Sequence, residues 1–470
     1  MLIEDLVAAL GAQRVDVSEQ TRWAYAKDLT EAEPRMPDVV VKVDSVEQVQ
    51  TVLRLSRQYR VPITPIVGGF NMSALAIPEC GGIVLDLGRM NRILEINEED
   101  LYMVIEPGVT WEQVSRELAE HHPSLRFGYS TAPPNTSVLA NGLLDGQTNL
   151  SLRYGSTGQW VNGVEVVLAD GEIVRTGSGA FGLSWCSGPP MPNLTGLFIN
   201  AHGITGIVTK MSIQLFSARR YRQRYLLPAF DESILCDFLA KTAHEDLCDD
   251  LAGFSWPLPK MALGASPGTT PDPGEPTFYC IIDFSSNDRA ELSMKDRRIH
   301  RLLKGYDRAF AGLMDVESTV DTFPQLKKLL ELPARVDFLL DHPGGGMSFI
   351  GAYGPTSKWS RAITAGMNTL ASHNYTPIVL LRPMWGGHYN LIHHLVLFNR
   401  DSEEERRRVR TVNEKICEGL LDLGFVPYKT PAWVLRRFAS RLDPGFRKLQ
   451  HQIKITLDPD GLLNPGKWLT

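Results

Sequence analysis

The sequence lacks the features that mark several large classes of protein. Its six cysteines are scattered along the chain and form no Cys-x-x-Cys pair, which argues against an iron–sulfur cluster, a structural zinc site or a disulfide framework. No run of ~18 apolar residues occurs, so we expect no membrane span. The formal net charge of −6 gives no basic footprint for nucleic acid. The N-terminus has neither the basic start nor the apolar core of a signal peptide, so we expect a cytoplasmic protein with reduced cysteines.

The composition is that of an ordinary globular protein. Hydrophobic residues make up 43% of the 470 residues and charged residues 22%. This length predicts about two to three domains.

The first recognisable unit is a strand, a helix and a second strand. Residues 36–43 are rich in β-branched residues and predict a strand. Ser45 then begins a helix with an apolar face, and residues 61–64 and 82–87 predict two more strands. This order is typical of a βαβ unit.

The turn between the strands at 61–64 and 82–87 is the most informative stretch. It contains Gly68 and Gly69, which permit positive φ and a close backbone approach to a ligand. Consecutive backbone N–H groups in such a turn form a nest for an anion. On its own, the turn is a weak signal for an anion site, and a plain structural turn between two strands is the alternative.

The next part of the chain is rich in strands and turns. We predict strands at 92–96, 102–106 and 212–216, and a helix at 111–120 that Thr110 caps. Residues 161–176 predict a hairpin with Asp170 and Gly171 at its turn. Between them, residues 127–142 predict a long loop, which in a compact domain is usually functional.

After residue 217 the pattern changes to strands that alternate with charged helices. Strands are predicted at 277–284, 376–382 and 393–398, and helices at 288–303 and 402–423. We interpret residues 217–426 as an α+β domain with an antiparallel sheet.

Ordered motifs along nearly the whole chain resemble the vanillyl alcohol oxidase/p-cresol methylhydroxylase family. The resemblance implies an α+β fold in which residues 1–216 form an FAD-binding domain of two α+β subdomains. Residues 217–426 would form an α+β cap domain with an antiparallel sheet over the flavin, and residues 427–470 a tail that completes the FAD domain. The matching segments are 37–49, 62–69, 84–95, 104–110, 164–172, 206–210, 344–349 and 457–466.

The resemblance implies FAD as the cofactor and assigns residues to it by position. The turn would hold the pyrophosphate, the long loop would lie along the flavin and ribityl chain, and residues 206 and 207 would present backbone to the adenine or the ring. The assigned residues are Ile66, Val67, Gly68, Gly69, Phe70, Asn71, Met72, Ser73, Pro133, Ser137, Val138, Asn141, Gly206, Ile207 and Lys429. For Ser137 and Asn141, turn capping is the alternative.

Several positions depart from the phenol-oxidising members of the family. Ser73 stands where those members have a tyrosine, and Ala132 where they have an aspartate near flavin N5. Met347 stands where the oxidase branch has the histidine that bonds to FAD, so we expect non-covalent FAD. Tyr353 keeps a tyrosine linkage open as an alternative. These departures put a phenolic substrate in doubt.

The tail motif of the family appears as Tyr428-Lys429-Thr430. By resemblance, Tyr428 would bind an ionised substrate oxygen. Lys429 would place a positive charge near flavin N1 and C2=O, where it stabilises the anionic reduced ring. A surface lysine beside a core tyrosine is the alternative.

Further catalytic candidates lie in the predicted cap domain. Arg382 suits a bidentate pair with a substrate carboxylate or a structural ion pair. His388, between glycines and an aromatic residue, is our first candidate for the base. On a strand, His393 and His394 point to opposite faces, so one of them is structural. No second histidine cluster accompanies them, and we expect no metal.

Three hypotheses about function follow. The first is an FAD-dependent dehydrogenase or oxidase that transfers a hydride from a small alcohol, hydroxy acid or substituted aromatic to flavin N5. The second is a D-2-hydroxy-acid dehydrogenase in which Arg382 or Lys429 holds the carboxylate. The third is a flavin subunit of a larger electron-transfer complex. We expect a small-molecule substrate, an electron acceptor or partner subunit of unknown identity, and a homo-oligomer or a complex.

Overall fold

A computed structural model describes residues 1–70, 72–182, 184–306 and 309–468 of the chain. The N-terminal part forms a four-stranded sheet in the order β1-β2-β4-β3. β2, β3 and β4 are mutually parallel, and β1 is antiparallel to β2. The elements are α1 Leu2–Leu10, β1 Val15–Asp16, α2 Glu19–Tyr25, β2 Val39–Lys42, α3 Val46–Tyr59, β3 Ile63–Ile66 and β4 Ile83–Asp86.

Local sequence signals explain how this unit forms. The Ser45 hydroxyl accepts a hydrogen bond from the Gln48 N–H at 3.4 Å, so it caps α3 as predicted. The apolar face of α3 packs on the sheet, with Val49 and Val52 fully buried. The predicted βαβ unit is therefore confirmed, with strand ends shifted by one to three residues.

The second part is a five-stranded antiparallel sheet in the order β5-β6-β10-β8-β9, beside a short β11-β7 pair. Its elements are β5 Ile93–Asn97, β6 Tyr102–Ile105, α4 Trp111–His121, β7 Leu125–Arg126, α5 Val138–Leu143, α6 Ser151–Tyr154, β8 Val161–Val167, β9 Ile173–Arg175, β10 Ile207–Gln214 and β11 Phe216–Ser217. The predicted hairpin at Asp170 and Gly171 joins β8 to β9. The predicted long loop 127–142 is wrong in part, because α5 begins inside it at Val138.

The third part is an eight-stranded antiparallel sheet in the order β15-β12-β14-β13-β17-β18-β16-β19. Its elements are β12 Tyr221–Ala229, α7 Glu232–His244, β13 Asp250–Ser255, α8 Pro257–Ala262, β14 Phe278–Ser286, α9 Arg289–Leu303, β15 Met314–Asp315, α10 Val316–Thr322, α11 Lys327–Leu330, β16 Gly346–Gly354, α12 Trp359–Ser372, β17 Ile378–Met384, β18 Tyr389–Phe398, α13 Glu403–Asp422 and β19 Val426–Pro427. The predicted α+β class with an antiparallel sheet is confirmed.

The two faces of this large sheet have different roles. One face packs against α7, α9, α12 and α13 and buries a large apolar core. The opposite face, which we call the site face, carries polar residues in register. Asp250 lies on β13, Arg382 on β17, and His393 on β18 opposite Gly351 on β16. Strand alternation therefore collects side chains that are distant in sequence.

The C-terminal tail returns to the first sheet after α14 Ala432–Arg437 and α15 Pro444–Leu457. The N–H of Ile63 donates to the Leu462 carbonyl at 2.8 Å, and the N–H of Asn464 donates to the Ile63 carbonyl at 2.7 Å. The tail thus pairs with the edge strand β3. The domain boundaries at 216 and 426 remain our proposal.

Candidate functional site

A central cleft lies between the turn after β3, the start of α5 and the segment before β10. It encloses about 1210 Å³ of empty space, part of it open to solvent. Its walls come from three distant parts of the chain and from the tail. The lining residues include Ile66, Val67, Gly68, Gly69, Phe70, Met72, Ser137, Asn141, His202, Thr205, Gly206, Ile207, Phe349, Lys429 and Asn464.

The turn after β3 forms one end of the cleft. Gly69 has φ of 72°, a left-handed conformation that glycine adopts without steric cost. A Cβ placed on Gly69 would meet nothing within 4 Å, so backbone conformation, and not crowding, requires this glycine. The turn therefore exposes backbone to the cleft.

The start of α5 forms a second wall. The Ser137 hydroxyl accepts from the Ala140 N–H at 3.0 Å and donates to the Pro107 carbonyl at 2.6 Å. Asn141 donates to the Thr157 hydroxyl at 3.2 Å and accepts from the Lys429 ammonium at 3.4 Å. Ser137 thus acts as a helix cap, whereas Asn141 links α5 to the tail.

The tail and the segment before β10 close the cleft. The Asn464 carboxamide donates to the His202 carbonyl at 2.7 Å. Within the described part of the chain, the buried Asn464 Oδ1 and His202 Nδ1 have no hydrogen-bond partner. Burial lowers the pKa of His202 to about 3, so its ring is neutral at physiological pH. These two atoms mark where a polar ligand would bond.

Beyond Phe349, at the far end of the cleft, lies a cluster of aromatic rings on the site face. Tyr428 is hydrogen-bonded to His393 Nε2 at 2.5 Å, and the two rings are stacked with centroids 5.4 Å apart. The Tyr353 ring also stacks on Tyr428, with centroids 4.6 Å apart. A Cβ on Gly351 would lie 2.5 Å from the Tyr428 ring, so glycine is needed there to admit it.

Burial sets the protonation of this cluster. It raises the pKa of Tyr428 and of Tyr353 above the ordinary tyrosine range. It lowers the pKa of His393 well below the ordinary value, and the charges of Lys429 and Arg382 lower it further. Tyr428 and His393 are therefore a neutral pair near pH 7.

Lys429 brings a positive charge between the cluster and the cleft. Its backbone has φ of 49°, an uncommon left-handed conformation for a non-glycine residue. Burial lowers its pKa to about 8, although the nearby carboxyl of Asp145 opposes that shift. Lys429 therefore remains mostly protonated at pH 7.

Arg382 lies on the site face beside this cluster but does not line the central cleft. It pairs with Asp250, with Nε 2.9 Å from Oδ1 and Nη2 donating to Oδ2 at 3.1 Å. Both side chains are buried. Arg382 lines a second cavity that also contains Gln147 and Thr131.

Comparison with known proteins gives independent information on the cofactor. Residues 37–177 match the model of an FAD binding domain. The flavoprotein subunit of 4-cresol dehydrogenase (hydroxylating) from Pseudomonas putida is 25% identical, over 99% of this chain and 94% of that protein. The crystal structure of p-cresol methylhydroxylase with substrate bound superposes with a TM-score of 0.88 at 23% identity, over 99% of this chain and 96% of that one.

The chain is an FAD-dependent oxidoreductase that is similar to those of the p-cresol methylhydroxylase type. A further relative is the glycolate oxidase subunit GlcD of Bacillus subtilis, which is 33% identical over 45% of this chain and 44% of that protein. The resemblance inferred from the sequence motifs is therefore confirmed, as is FAD as the cofactor.

The cleft of the oxidoreductase fits FAD. His202 Nδ1, which can donate or accept, and Asn464 Oδ1, which accepts, have no hydrogen-bond partner among the described residues and are available to a polar cofactor. The glycine turn offers exposed backbone, and Lys429 offers a cation. Most residues assigned to FAD from the sequence do line the cleft: Ile66, Val67, Gly68, Gly69, Phe70, Met72, Ser137, Asn141, Gly206, Ile207 and Lys429. Asn71 lies outside the described residues.

Three of the assigned residues do not line the cleft. Ser73 is buried beside a separate small cavity, next to Ser348. Val138 is fully buried in the apolar core of the second sheet, since it lies in the first turn of α5 and points inward. Pro133 lies in the preceding turn, and its carbonyl accepts from the Thr136 N–H at 2.9 Å.

His388, our first candidate for the base, does not lie with the other candidate residues. It is exposed in a short turn between β17 and β18 and lines neither cavity. The residue that meets Tyr428 is His393, whereas His394 points to the helical face, with Nε2 3.5 Å from the Ile363 carbonyl. Strand alternation predicted that the two histidines diverge, but not which of them meets the tyrosine.

His202, Asn464 and Phe349 were missed by sequence reasoning. The tail motif that contains Asn464 was recognised, but its contact with His202 spans 262 positions and has no local signal. Among the described residues, no group of three or more His, Cys, Asp and Glu suits a metal ion. None of the described helices combines the length and the apolar character needed to cross a membrane.

Proposed function

We propose that this oxidoreductase oxidises a small molecule at a C–H bond that an alcohol oxygen or an aromatic ring activates, with FAD accepting the hydride at N5. The observation that carries the proposal is the neutral Tyr428–His393 pair, which adjoins the FAD cleft. A buried hydrogen-bonded pair of this kind suits proton transfer from a substrate hydroxyl.

The geometry suggests how the pair works. Neutral His393 can accept the Tyr428 O–H, which leaves lone pairs of the tyrosine oxygen for a substrate hydroxyl. As the substrate loses its proton, that proton passes to the Tyr428 oxygen and the tyrosine's own proton passes to His393 Nε2. Tyr353, which stacks on Tyr428, and Phe349, which lies tilted against His393, hold both rings in position.

Lys429 has a separate role in this proposal. Because its pKa is about 8, it carries a positive charge at pH 7. A fixed cation in a partly dry site stabilises negative charge that develops during the reaction.

FAD binding is non-covalent in this proposal. The Tyr353 hydroxyl donates to the Asp145 carbonyl at 3.0 Å, and Tyr353 does not line the central cleft. Met347 cannot supply the linkage that a histidine provides. Acid precipitation of the purified protein should therefore release the yellow colour into the supernatant; a yellow pellet would contradict non-covalent binding.

The main test is anaerobic reduction of the bound flavin, which does not depend on the electron acceptor. The protein is mixed with 4-cresol, glycolate or D-lactate, and the absorbance near 450 nm is followed. We expect one of these classes to bleach the flavin; failure of all three would contradict the proposal.

Replacement of Tyr428 tests the residue on which the proposed function rests. Since general acid–base groups contribute about 10²–10⁴-fold, Tyr428→Phe should slow bleaching by at least about 100-fold. Tyr375→Phe is the matched control, because the Tyr375 hydroxyl has no hydrogen-bond partner in the described part of the chain. Equal rates in both variants would remove Tyr428 from the mechanism.

A second candidate function is the oxidation of a 2-hydroxy acid. Arg382 favours it, since a buried arginine on the site face suits a substrate carboxylate. In the panel above, glycolate or D-lactate would then bleach the flavin and 4-cresol would not.

A further inference from the structure

The helix α5 is followed by a carboxylate at the end of a tight turn. The N–H of Asp145 donates to the Gly142 carbonyl at 3.1 Å, and the N–H of Gly146 donates to the Asn141 carbonyl at 2.9 Å. This pair of bonds is the Schellman motif, in which the first residue past the helix takes a left-handed conformation. Asp145 is that residue, with φ of 50°.

Aspartate is a less favourable residue for this position than glycine or asparagine. Those two are the residues that usually take the left-handed conformation after a helix. A negative charge at the C-terminal end of a helix also opposes the helix dipole. Asparagine has the shape of aspartate and would form the same turn without the charge. The feature that aspartate adds at this position is therefore its negative charge.

The carboxylate is held in a fixed position. Asp145 Oδ1 accepts from the Gly158 N–H at 3.1 Å. A Cβ on Gly158 would lie 2.4 Å from the same oxygen, so glycine is needed there to admit the carboxylate. Burial raises the pKa of Asp145, and hydrogen bonds from Ser156, Gly158 and Asn200 oppose that shift. These donors favour the ionised form.

The backbone of Asp145 contacts the aromatic cluster. The Tyr353 hydroxyl donates to the Asp145 carbonyl at 3.0 Å. Tyr353 in turn stacks on Tyr428, which is hydrogen-bonded to His393. Asp145 therefore lies next to the ring that supports the proposed proton-transfer pair.

The same turn contacts the residue that holds Lys429. The Lys429 ammonium donates to Asn141 Oδ1 at 3.4 Å. Gly146, the residue after Asp145, packs against that oxygen, because a Cβ placed on Gly146 would lie only 2.1 Å from it. The Schellman turn thus fixes both the acceptor of the ammonium and the carboxylate near it. Burial lowers the pKa of Lys429 to about 8, and the Asp145 carboxylate opposes that shift.

The other titratable groups near Lys429 in the described part of the chain carry no net negative charge. The Tyr428 ring centroid is 5.6 Å from the ammonium, and burial keeps both Tyr428 and His393 neutral near pH 7. Arg382 and Asp250 lie beyond them on the site face as an ion pair. The carboxylate after α5 is therefore the anion that acts on the ammonium.

Resting on the proposed function, we propose that Asp145 is a positioning residue of the oxidation site, whose carboxylate keeps the Lys429 ammonium charged where it lines the FAD cleft. Asp145 itself does not line that cleft, so it acts through Lys429. Without a carboxylate nearby, burial would favour the neutral amine, and the site would lose its cation near physiological pH.

Asp145→Asn tests the proposal, because it removes the charge and keeps the shape. Lys429 is titrated by NMR in FAD-loaded protein labelled with ¹³C at the lysine Cε atoms, where its signal is the one that Lys429→Met lacks. We expect a midpoint at about pH 8 in the wild type. In Asp145→Asn the midpoint should fall by about one pH unit or more, since a nearby opposite charge raises the pKa of an amine by about that much. The pH at which the flavin reduction potential changes slope should fall with it.

Further measurements separate the charge from a structural role. Asp145→Gly also removes the carboxylate and suits the left-handed turn, so it should lower the Lys429 midpoint as Asp145→Asn does. Asp38→Asn is the matched control, because Asp38 also accepts a glycine N–H, from Gly82 at 3.0 Å, but does not line the central cleft. It should leave the midpoint unchanged. Since asparagine suits the turn, Asp145→Asn should be at least as stable as the wild type in urea denaturation.

The inference is overturned if the Lys429 midpoint in both Asp145 variants equals that of the wild type, or if Asp38→Asn lowers it as much. It is also overturned if Asp145→Asn is less stable than the wild type or no longer holds FAD, because the role of Asp145 would then be structural.

These outcomes are separable from the proposed function. If a substrate bleaches the flavin while the Lys429 midpoint does not move in the Asp145 variants, the oxidation proposal stands and this role of Asp145 does not. If the midpoint falls as expected but no substrate bleaches the flavin, the role of Asp145 stands and the oxidation proposal fails.

Discussion

Replacing Gly351 by alanine is the sharpest test of the aromatic cluster. The new Cβ would lie 2.5 Å from Tyr428 Cε1, 2.6 Å from Phe349 Cε2 and 2.9 Å from His393 Cδ2. Carbon atoms in contact prefer about 3.5–4.0 Å, so the rings must move by roughly 1 Å. Overpacking of this kind typically costs about 1–3 kcal/mol.

The functional effect follows from the hydrogen bond that this movement disturbs. Tyr428 and His393 are 2.5 Å apart, and a movement of roughly 1 Å takes the pair outside hydrogen-bond range. We therefore expect Gly351→Ala to lower the free energy of unfolding by about 1–3 kcal/mol. Flavin reduction by the best substrate should slow by at least about tenfold, because proton transfer needs the contact.

The assays are urea denaturation and anaerobic stopped-flow at 450 nm. Gly419→Ala is the matched control: Gly419 lies within α13, and a Cβ there meets nothing within 4 Å. That change should stabilise the helix by about 0.5–1 kcal/mol and leave the rate unchanged. If Gly351→Ala matches the wild type in both stability and rate, the packing account of the cluster is wrong.

Three further changes test other parts of the site. Because Lys429 loses its proton as pH rises through about 8, the reduction potential of the bound flavin should fall more steeply with pH above that value than below it. The Lys429→Met variant should not show this change of slope. A variant with the same pH dependence as the wild type would exclude a role for this cation. Asn464→Ala should weaken FAD about tenfold, measured from the fluorescence of released flavin, since the cleft loses one acceptor and its wall one cross-link. Lys467→Met should cost about 2–4 kcal/mol in urea denaturation, because the buried ammonium donates to the carbonyls of Ala74 and Ile77 at 2.7 Å each; a cost near zero would contradict this account.

The sequence alone predicted features that depend on neighbouring residues. Ser45 and Thr110 cap α3 and α4 because a hydroxyl reaches a backbone N–H three positions ahead. Asp170 and Gly171 turn the chain between β8 and β9. Local chemistry of this kind needs no knowledge of the fold.

The order of motifs added the family resemblance and the cofactor, but not the full set of residues that line the cleft. The glycine turn, Gly206 and Lys429 were assigned to FAD and line the cleft. Ser73 and Val138, from the same segments, point into other parts of the molecule. A recognised motif predicts roughly where its segment lies in the fold. The direction of each side chain depends on the turn that precedes it.

The tertiary structure decided which residues meet at the proposed reacting end of the site. Tyr428 meets His393 across 35 positions, and Arg382 meets Asp250 across 132. These pairs arise from the register of an eight-stranded sheet, which no local pattern fixes. Histidine is a residue type that can act as a base, but His388 lies in the turn that reverses the chain between β17 and β18 and is therefore exposed. The sequence determined by itself the cofactor and most of the elements that line the cleft, because both depend on short motifs. Only the packed sheet determined which tyrosine, histidine and arginine share a face, because that depends on contacts between distant strands.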